Sequence, residues 1–311
     1  MSKIAFVFPG QGAQYVGMGK DFYENFQTAK DIFAEAEQAS GLDVAAICFE
    51  ENEKINQTEY TQIAMLATEL AIAKVLEDEG ISPQVTAGLS LGEYGAVVTA
   101  GVMSTKDAFK VVRQRGILMQ NAVPVGGAMA AVLGSSQETI EKICDETEGI
   151  VSIANYNCPG QIVITGEEAA VDKACEALKE AGAKRCVKLN VSGPFHSALL
   201  ETAGQELSKV LAPLELHEMT IPYLTNVTGD YVAAVDEIKE LLEKQVSSSV
   251  RWQQNVERMI ADGVDVMIEI GPGKTLSGFL RKIDKEKKVT MYNVENIEDL
   301  NKLLENRRSL C

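Results

Sequence analysis

The chain has 311 residues, which at about 150 residues per domain suggests two structural units, or one large unit with an insert. Its 29 Lys and Arg against 45 Asp and Glu give a formal net charge of −16, which argues against a general nucleic-acid binder with its basic, phosphate-neutralising face. With 46% hydrophobic and 24% charged residues it reads as globular, with a sizeable core, and not as a disordered chain.

Ile4–Phe8 is a short run of bulky apolar residues, the pattern of a buried strand, and Pro9-Gly10-Gln11-Gly12 turns out of it. The run is too short for the apolar segment of a secretory signal. A helix is expected through Phe22, Phe26, Ala29 and Phe33, ending at Ser40-Gly41. Another should run from Thr61 to about Glu79, because Ile63, Leu66, Leu70 and Ala73 recur at helical spacing and Gly80 stops it. Val85–Ala87 reads as a strand, Gly88–Gly92 as a turn, and a helix follows through Ala96 and Val97. Strands alternating with helices imply a parallel, doubly wound sheet. The uncharged stretch Gly116–Gln137 is interrupted by Asn121, Pro124 and Gly126-Gly127, so it does not read as a membrane span.

The middle of the chain has a different order. Ala128–Leu133 is an expected strand, and Ser135-Ser136-Gln137-Glu138 a capping box that opens a helix to about Thr147. Ile150–Ala154 reads as a strand, Asn155–Gly160 as a loop and Gln161–Thr165 as a strand. A helix over Glu167–Ala181 stops at Gly182, and Arg185–Leu189 is a further strand. The order β-α-β-β-α-β is the ferredoxin-like pattern. Gly126-Gly127 and Ser192-Gly193-Pro194 are candidate hinges on either side of it.

Beyond the hinge come a helix over Ala198–Leu211, a strand near Ile221–Thr225 and a helix from Val250 to Asp262. A strand over Val266–Ile270, the turn Gly271-Pro272-Gly273, a helix over Thr275–Ile283 and a strand over Val289–Val294 close the chain. The expected fold is α/β: a large domain with a parallel sheet core, residues 1–125 and 193–311, and an inserted ferredoxin-like small domain, residues 126–192. Six dispersed cysteines without a CxxC pair fit a reduced, cytoplasmic protein, and two histidines are too few for a His-based metal site.

Gly88-Leu89-Ser90-Leu91-Gly92 fits G-x-S-x-G between a strand and a helix, where small residues let the chain turn sharply and expose the serine hydroxyl. The helix N-terminus beneath offers unpaired N–H groups to a developing oxyanion. Of the two histidines, His217 lies among Leu214, Leu216 and Glu218 with no turn context and reads as structural. His196, in Gly193-Pro194-Phe195-His196, precedes a helix whose positive end would keep the ring neutral, as a base must be. Two phosphate-type motifs fail. Tyr15 stands at the third glycine position after Gly10-Gln11-Gly12, and Ile268 at the first glycine position before Gly273-Lys274-Thr275. Arg113 and Arg115 read by default as solvated charges, with anion binding as the alternative.

The chain resembles the malonyl-CoA:acyl-carrier-protein transacylases of fatty-acid synthesis and is similar to the acyltransferase domains of polyketide synthases. The matching fragments span nearly its whole length. They are Phe8-Pro9-Gly10-Gln11-Gly12, Gly88 through Tyr94, Arg113-Gln114-Arg115-Gly116, Asn155 through Gln161, Gly193 through His196, Gln245 ahead of Val250-Arg251-Trp252, and Glu269 through Lys274. One departure is Leu89, where relatives often have His.

The resemblance implies an α/β-hydrolase-like large domain and assigns roles. Ser90 is the nucleophile and His196 the general base of a ping-pong transfer through an acyl-serine ester. The backbone N–H groups of Gln11 and Leu91 form the oxyanion hole, and a backbone carbonyl at Gln245 orients the histidine. Arg115 pairs with the malonyl carboxylate, as a planar guanidinium can and a lysine cannot. Phe195 faces the acyl carbon and excludes α-branched acyl groups. The implied partners are malonyl-CoA, as substrate, and acyl carrier protein, with no cofactor, no metal, no nucleic acid and no membrane, and the enzyme acts as a monomer. Carrier proteins of this pathway are acidic, so a local basic cluster, Arg281-Lys282 with Lys285, Lys287 and Lys288 nearby, is the expected docking patch on this acidic chain. An esterase or thioesterase would share the elbow, the base and the oxyanion hole. Arg115 and the insert count against it, and an intact Ser90 and His196 count against a non-enzymatic binding module.

Overall fold

The computed structural model describes residues 2–123 and 125–306, which leaves Pro124 and Cys311 outside the described residues. Its strands in chain order are β1 (Ile4–Phe8), β2 (Val85–Gly88), β3 (Gly127–Leu133), β4 (Val151–Cys158), β5 (Gln161–Glu167), β6 (Arg185–Lys188), β7 (Tyr223–Leu224), β8 (Val266–Ile270) and β9 (Thr290–Val294).

Five of them form one sheet in the order β7-β2-β1-β8-β9, every pair parallel. β1, β2 and β8 are buried along their whole length, which is why β1 and β8 read as apolar runs and not as an alternation. Glu269 is the exception inside β8. Its buried carboxylate accepts from the backbone N–H groups of Leu276 and Ser277 and so caps the helix Thr275–Ile283. The chain runs from β1 outward through β2 to β7, then returns to β8 on the other side of β1. In open α/β sheets the crevice beyond the carboxyl ends of the strands, at such a reversal, is where ligands bind.

β3 to β6 form a separate antiparallel sheet in the order β4-β5-β3-β6, the spatial order of the ferredoxin-like pattern. Helices Gln137–Glu146 and Glu168–Glu180 cover one face of it, with Ile140, Val171, Ala174 and Leu178 in a core of its own. The α/β class, the parallel core and the second sheet are all present as expected.

Several local expectations need correction. Asn155–Gly160 is not a loop throughout, because β4 continues to Cys158. Asparagines disfavour strands, but here tertiary pairing on both sides overrides them. Asn155 and Tyr156 pair with Val163 and Ile162 of β5, and on the opposite edge Tyr156 N–H donates to the Val250 carbonyl at 2.9 Å. The single helix expected through Phe22 and Phe33 is two, Lys20–Asn25 and Gln27–Ser40, broken where Phe26 is extended. The cap of the helix after β3 is Ser136, one residue later than expected, and its hydroxyl accepts from the Thr139 N–H. The strand near Ile221–Thr225 shortens to two residues, and the helix expected over Ala198–Leu211 opens as a 3₁₀ turn before Glu201. Helices Val44–Phe49, Thr105–Ala122, Ile238–Gln245 and Ile297–Glu305 were not anticipated, and Arg113 and Arg115 lie within the second of these. Among the described residues no helix is long and apolar enough to cross a membrane.

Candidate active site

Ser90 lies just past the carboxyl end of β2 with φ 54°, in the left-handed region that a non-glycine residue adopts at a cost. The flanking glycines explain how the turn closes. A Cβ on Gly88 would lie 1.9 Å from the Gly92 carbonyl carbon, and one on Gly92 would lie 2.2 Å from the Phe8 carbonyl oxygen. The elbow therefore folds against itself and against β1 at positions where no side chain fits. It is also tied from outside. Asn226 Oδ1 accepts from Ser90 N–H at 2.6 Å, Asn226 Nδ2 donates to the Gly88 carbonyl at 2.6 Å, and Gln245 Nε2 donates to the Ser90 carbonyl at 2.9 Å.

His196 meets the elbow from the other half of the chain. Its Nε2 is 2.8 Å from Ser90 Oγ, and its Nδ1 is 2.8 Å from the Gln245 carbonyl oxygen. A carbonyl only accepts, so Nδ1 carries the proton and Nε2 is left to accept from the serine hydroxyl. Burial, with the Arg115 charge second, pushes the imidazole down to about 4, so the ring is neutral near pH 7. Burial and the neighbouring guanidinium are thus the causes that act on the ring, in the direction that the sequence context suggested. His217 is exposed, with its backbone N–H on the Val102 carbonyl, as its context suggested.

Arg115 projects from helix Thr105–Ala122 and is only 1% exposed, so it is not the solvated charge that its residue type suggests by default. Nη1 donates to Gln62 Oε1 at 2.7 Å, and Nη2 donates to Gln245 Oε1 at 2.9 Å and to Ser90 Oγ at 3.3 Å. The guanidinium lies 5.5 Å from the centre of the Tyr94 ring. Among the described residues it makes no ion pair, and its Nε has no partner. Burial pulls its pKa below the usual value, which is the signature of a cation held away from water. Arg113, two residues away, is instead paired with Glu59 at 2.9 Å.

Phe8 of β1 and Gly88 of β2 are register partners, so Gln11 and Leu91 each stand three residues beyond paired positions, on the same edge as Ser90. Neither backbone N–H has a hydrogen-bond partner among the described residues, while the Gln11 side chain is pinned to Thr58 Oγ1 at 3.0 Å. A cavity of about 240 Å³ opens here, walled by Gln11, Ser90, His196, Phe195, Met119 and Met129, with the Arg115 guanidinium directly behind Ser90 and Gln62. Met129 of β3, Asn155 and Asn157 of β4 and Val163 of β5 line it from the antiparallel sheet, facing the turns that leave β1 and β2 of the parallel one. Phe195 is 6% exposed and stands beside the base. Arg281 and Lys282 lie apart from this cluster, exposed on the last turn of the helix whose Thr275 and Phe279 line the cavity. Lys282 Nζ donates to Gln161 Oε1 at 3.0 Å. Among the described residues no group of His, Cys, Asp and Glu could hold a metal ion.

Sequence reasoning did not single out Gln62, Glu93 or Asn226. Glu93 left a signal, a lone acid in the apolar helix Gly92–Thr99, but Gln62 and Asn226 left none.

A serine hydroxyl on a tight elbow, a neutral imidazole within hydrogen-bond reach and unpaired backbone donors around one cavity are the parts that acyl transfer requires. Comparison with known proteins identifies its lineage, since residues 5–301 match the acyl transferase domain family. The chain belongs to the acyl transferase family. It is an acyltransferase. The chain is 44% identical over 304 residues to the malonyl CoA-acyl carrier protein transacylase of Bacillus subtilis, covering 96% of each chain. It superimposes on the crystal structure of malonyl CoA-acyl carrier protein transacylase from Clostridium perfringens with a TM-score of 0.95 at 43% identity, covering 99% of this chain and 98% of that one. It is also similar to a malonyl-transacylase solved in complex with its type II polyketide acyl-carrier protein, with a TM-score of 0.94 at 40% identity, covering 98% of this chain and 100% of that one.

Proposed function

We propose that this acyltransferase moves a malonyl group from malonyl-CoA to the pantetheine thiol of an acyl carrier protein through a malonyl ester on Ser90, supplying the extender unit for fatty-acid synthesis. The observation that carries this reading is Arg115. A buried cation beside the nucleophile, with no carboxylate in direct contact among the described residues and the buried Glu93 reaching it only across Gln245, gains most when an anion arrives to pair with it. A malonyl group brings that carboxylate at the right end, and an acetyl group does not. The names of the relatives support the same substrates and acceptor.

The geometry supports the following steps. Ser90 Oγ attacks the thioester carbonyl while His196 Nε2 takes the hydroxyl proton, and the Gln245 carbonyl steadies the imidazolium through Nδ1–H. The oxyanion points at the Gln11 and Leu91 N–H groups. Collapse expels the CoA thiolate, which His196 protonates. The carrier thiol then enters, gives its proton to His196 and takes the malonyl group, and the proton returns to Ser90 Oγ. Once Ser90 is acylated its oxygen no longer needs the Arg115 Nη2 hydrogen, which frees that donor for the malonyl carboxylate beside Nη1. The scheme calls on no metal or cofactor.

The same reading divides the chain into a catalytic domain, residues 1–125 and 193–311, and a small domain, residues 126–192, which closes the acyl cavity from above. The separate core of the second sheet and the wall residue Met129 support that division. The carrier protein docks at Arg281 and Lys282.

The test is intact mass after brief mixing with malonyl-CoA. The parent should gain one malonyl group on Ser90 and hold it until carrier protein is added, and Ser90→Ala should gain none. Rapid loss of the group to water would mark a hydrolase, and an adduct on a cysteine would refute the nucleophile.

A further inference from the structure

Resting on malonyl transfer, we propose that Glu93 is a positioning residue for the reaction: its carboxylate locks the Gln245 side-chain amide in the one orientation that holds Arg115 and the Ser90 backbone in place. Glu93 is fully buried on the first turn of the helix that follows the elbow. Its Oε2 accepts from Gln245 Nε2 at 2.7 Å and from the Asn226 N–H at 3.1 Å. It touches no reacting atom, so it acts through those two residues.

Gln245 Nε2 faces two acceptors, the Glu93 carboxylate and the Ser90 carbonyl, while Oε1 faces a donor, Arg115 Nη2. An ionised carboxylate only accepts, so a flipped amide would set oxygen against oxygen on one side and N–H against N–H on the other. A protonated Glu93 can donate, so the clash on its own side goes, while the Ser90 carbonyl and Arg115 Nη2 still favour the observed orientation. The amide is then held by two of its three orienting contacts, which loosens its grip on Arg115 and the Ser90 carbonyl. The backbone oxygen of the same Gln245 carries His196 Nδ1, and Asn226, also held by Glu93, carries the Ser90 N–H. One carboxylate thus reaches nucleophile, base and cation.

The packing around Glu93 gives this device a pH dependence. Burial raises its carboxyl to about 7, against the lowering effect of Gln245, Thr225, Asn226 and the Arg115 charge. The hydroxyls of Tyr223 and Tyr94 also face it, and both are held neutral by burial. His196 lies down at about 4. An acid limb of the acylation rate near pH 7 would therefore report Glu93, because the base titrates lower.

The experiment measures kcat/KM for acylation of the enzyme by malonyl-CoA between about pH 5.5 and 8.5, for the parent, Glu93→Gln and Glu93→Asp, with melting temperatures alongside. The parent rate should fall as pH drops through about 7. Glu93→Gln should be folded and slower at pH 8 by about 10- to 100-fold, the scale of a misplaced reacting group, and should show no limb in this range. Glu93→Asp should regain a limb at a shifted pH. A Glu93→Gln protein that keeps the parent's limb overturns the proposal, whatever its absolute rate. If Glu93→Gln does not fold, a Glu93→Asp limb identical to the parent's overturns it equally. A parent that is never acylated refutes malonyl transfer itself, and Glu93's role with it, whereas an acylated parent with a limb insensitive to position 93 refutes only the latter.

Discussion

Replacing Arg115 by alanine should change which acyl group the enzyme accepts more than it changes the enzyme's ability to transfer one. The guanidinium is 1% exposed and holds Gln62, Gln245 and Ser90 Oγ. Removing one partner of a buried ion pair costs about 3–5 kcal/mol, which at about 1.4 kcal/mol per tenfold is about 10²–10⁴-fold in malonyl kcat/KM. The substitution also leaves Gln62 Oε1 and Gln245 Oε1 without donors, at about 1–3 kcal/mol each. That second loss falls on malonyl and acetyl alike, because it acts through the resting site. The malonyl-to-acetyl ratio isolates the pair and should drop by about 10²-fold or more. Arg115→Lys should recover only part of it, since an ammonium cannot serve both glutamines and a carboxylate with a planar fork. The assay is the rate of enzyme acylation from malonyl-CoA and from acetyl-CoA for the three proteins, with melting curves to establish folding. Equal loss of both rates in a folded Arg115→Ala protein would show that the guanidinium is structural and that specificity arises elsewhere.

His196→Ala should slow acylation by about 10²–10⁴-fold, the usual worth of a positioned acid–base group, and the exposed His217→Ala should be nearly silent; the reverse ranking in a transfer assay would unseat the base. Phe195→Ser should raise the methylmalonyl-to-malonyl ratio, by a shift and not a switch, because one methyl is worth about 1–3 kcal/mol; an unchanged ratio would remove Phe195 from the acyl wall. Arg281→Glu should slow delivery to carrier protein and leave acylation by malonyl-CoA intact. It is a cleaner probe than Lys282→Glu, which also breaks the contact with Gln161, and equal loss in both half-reactions would count against docking there.

Much of the site was legible in the residues because its chemistry is bound to short range order. Gly88 and Gly92 flank Ser90 because the turn admits no side chain at either position, and that requirement is written into five consecutive letters. The β-α-β-β-α-β order of residues 127–188 appears in the periodicity because each element buries its own face. Arg115 was ambiguous on its own, since nothing in the letters distinguishes a buried arginine from a solvated one, and only the resemblance assigned it a role.

What tertiary structure alone decided are the partners that meet across long separations. Glu93 and Gln245 are 152 residues apart, and Ser90 and Asn226 are 136 apart, so no local pattern could announce either bond. The same holds for β4, where the pairing of Tyr156 with Val250 overrode the poor strand propensity of the asparagines. Local sequence determines which turns and faces can form, because sterics and burial act between near neighbours. It does not determine how buried polar groups share donors and acceptors, because that matching is settled only once distant segments are packed together without water.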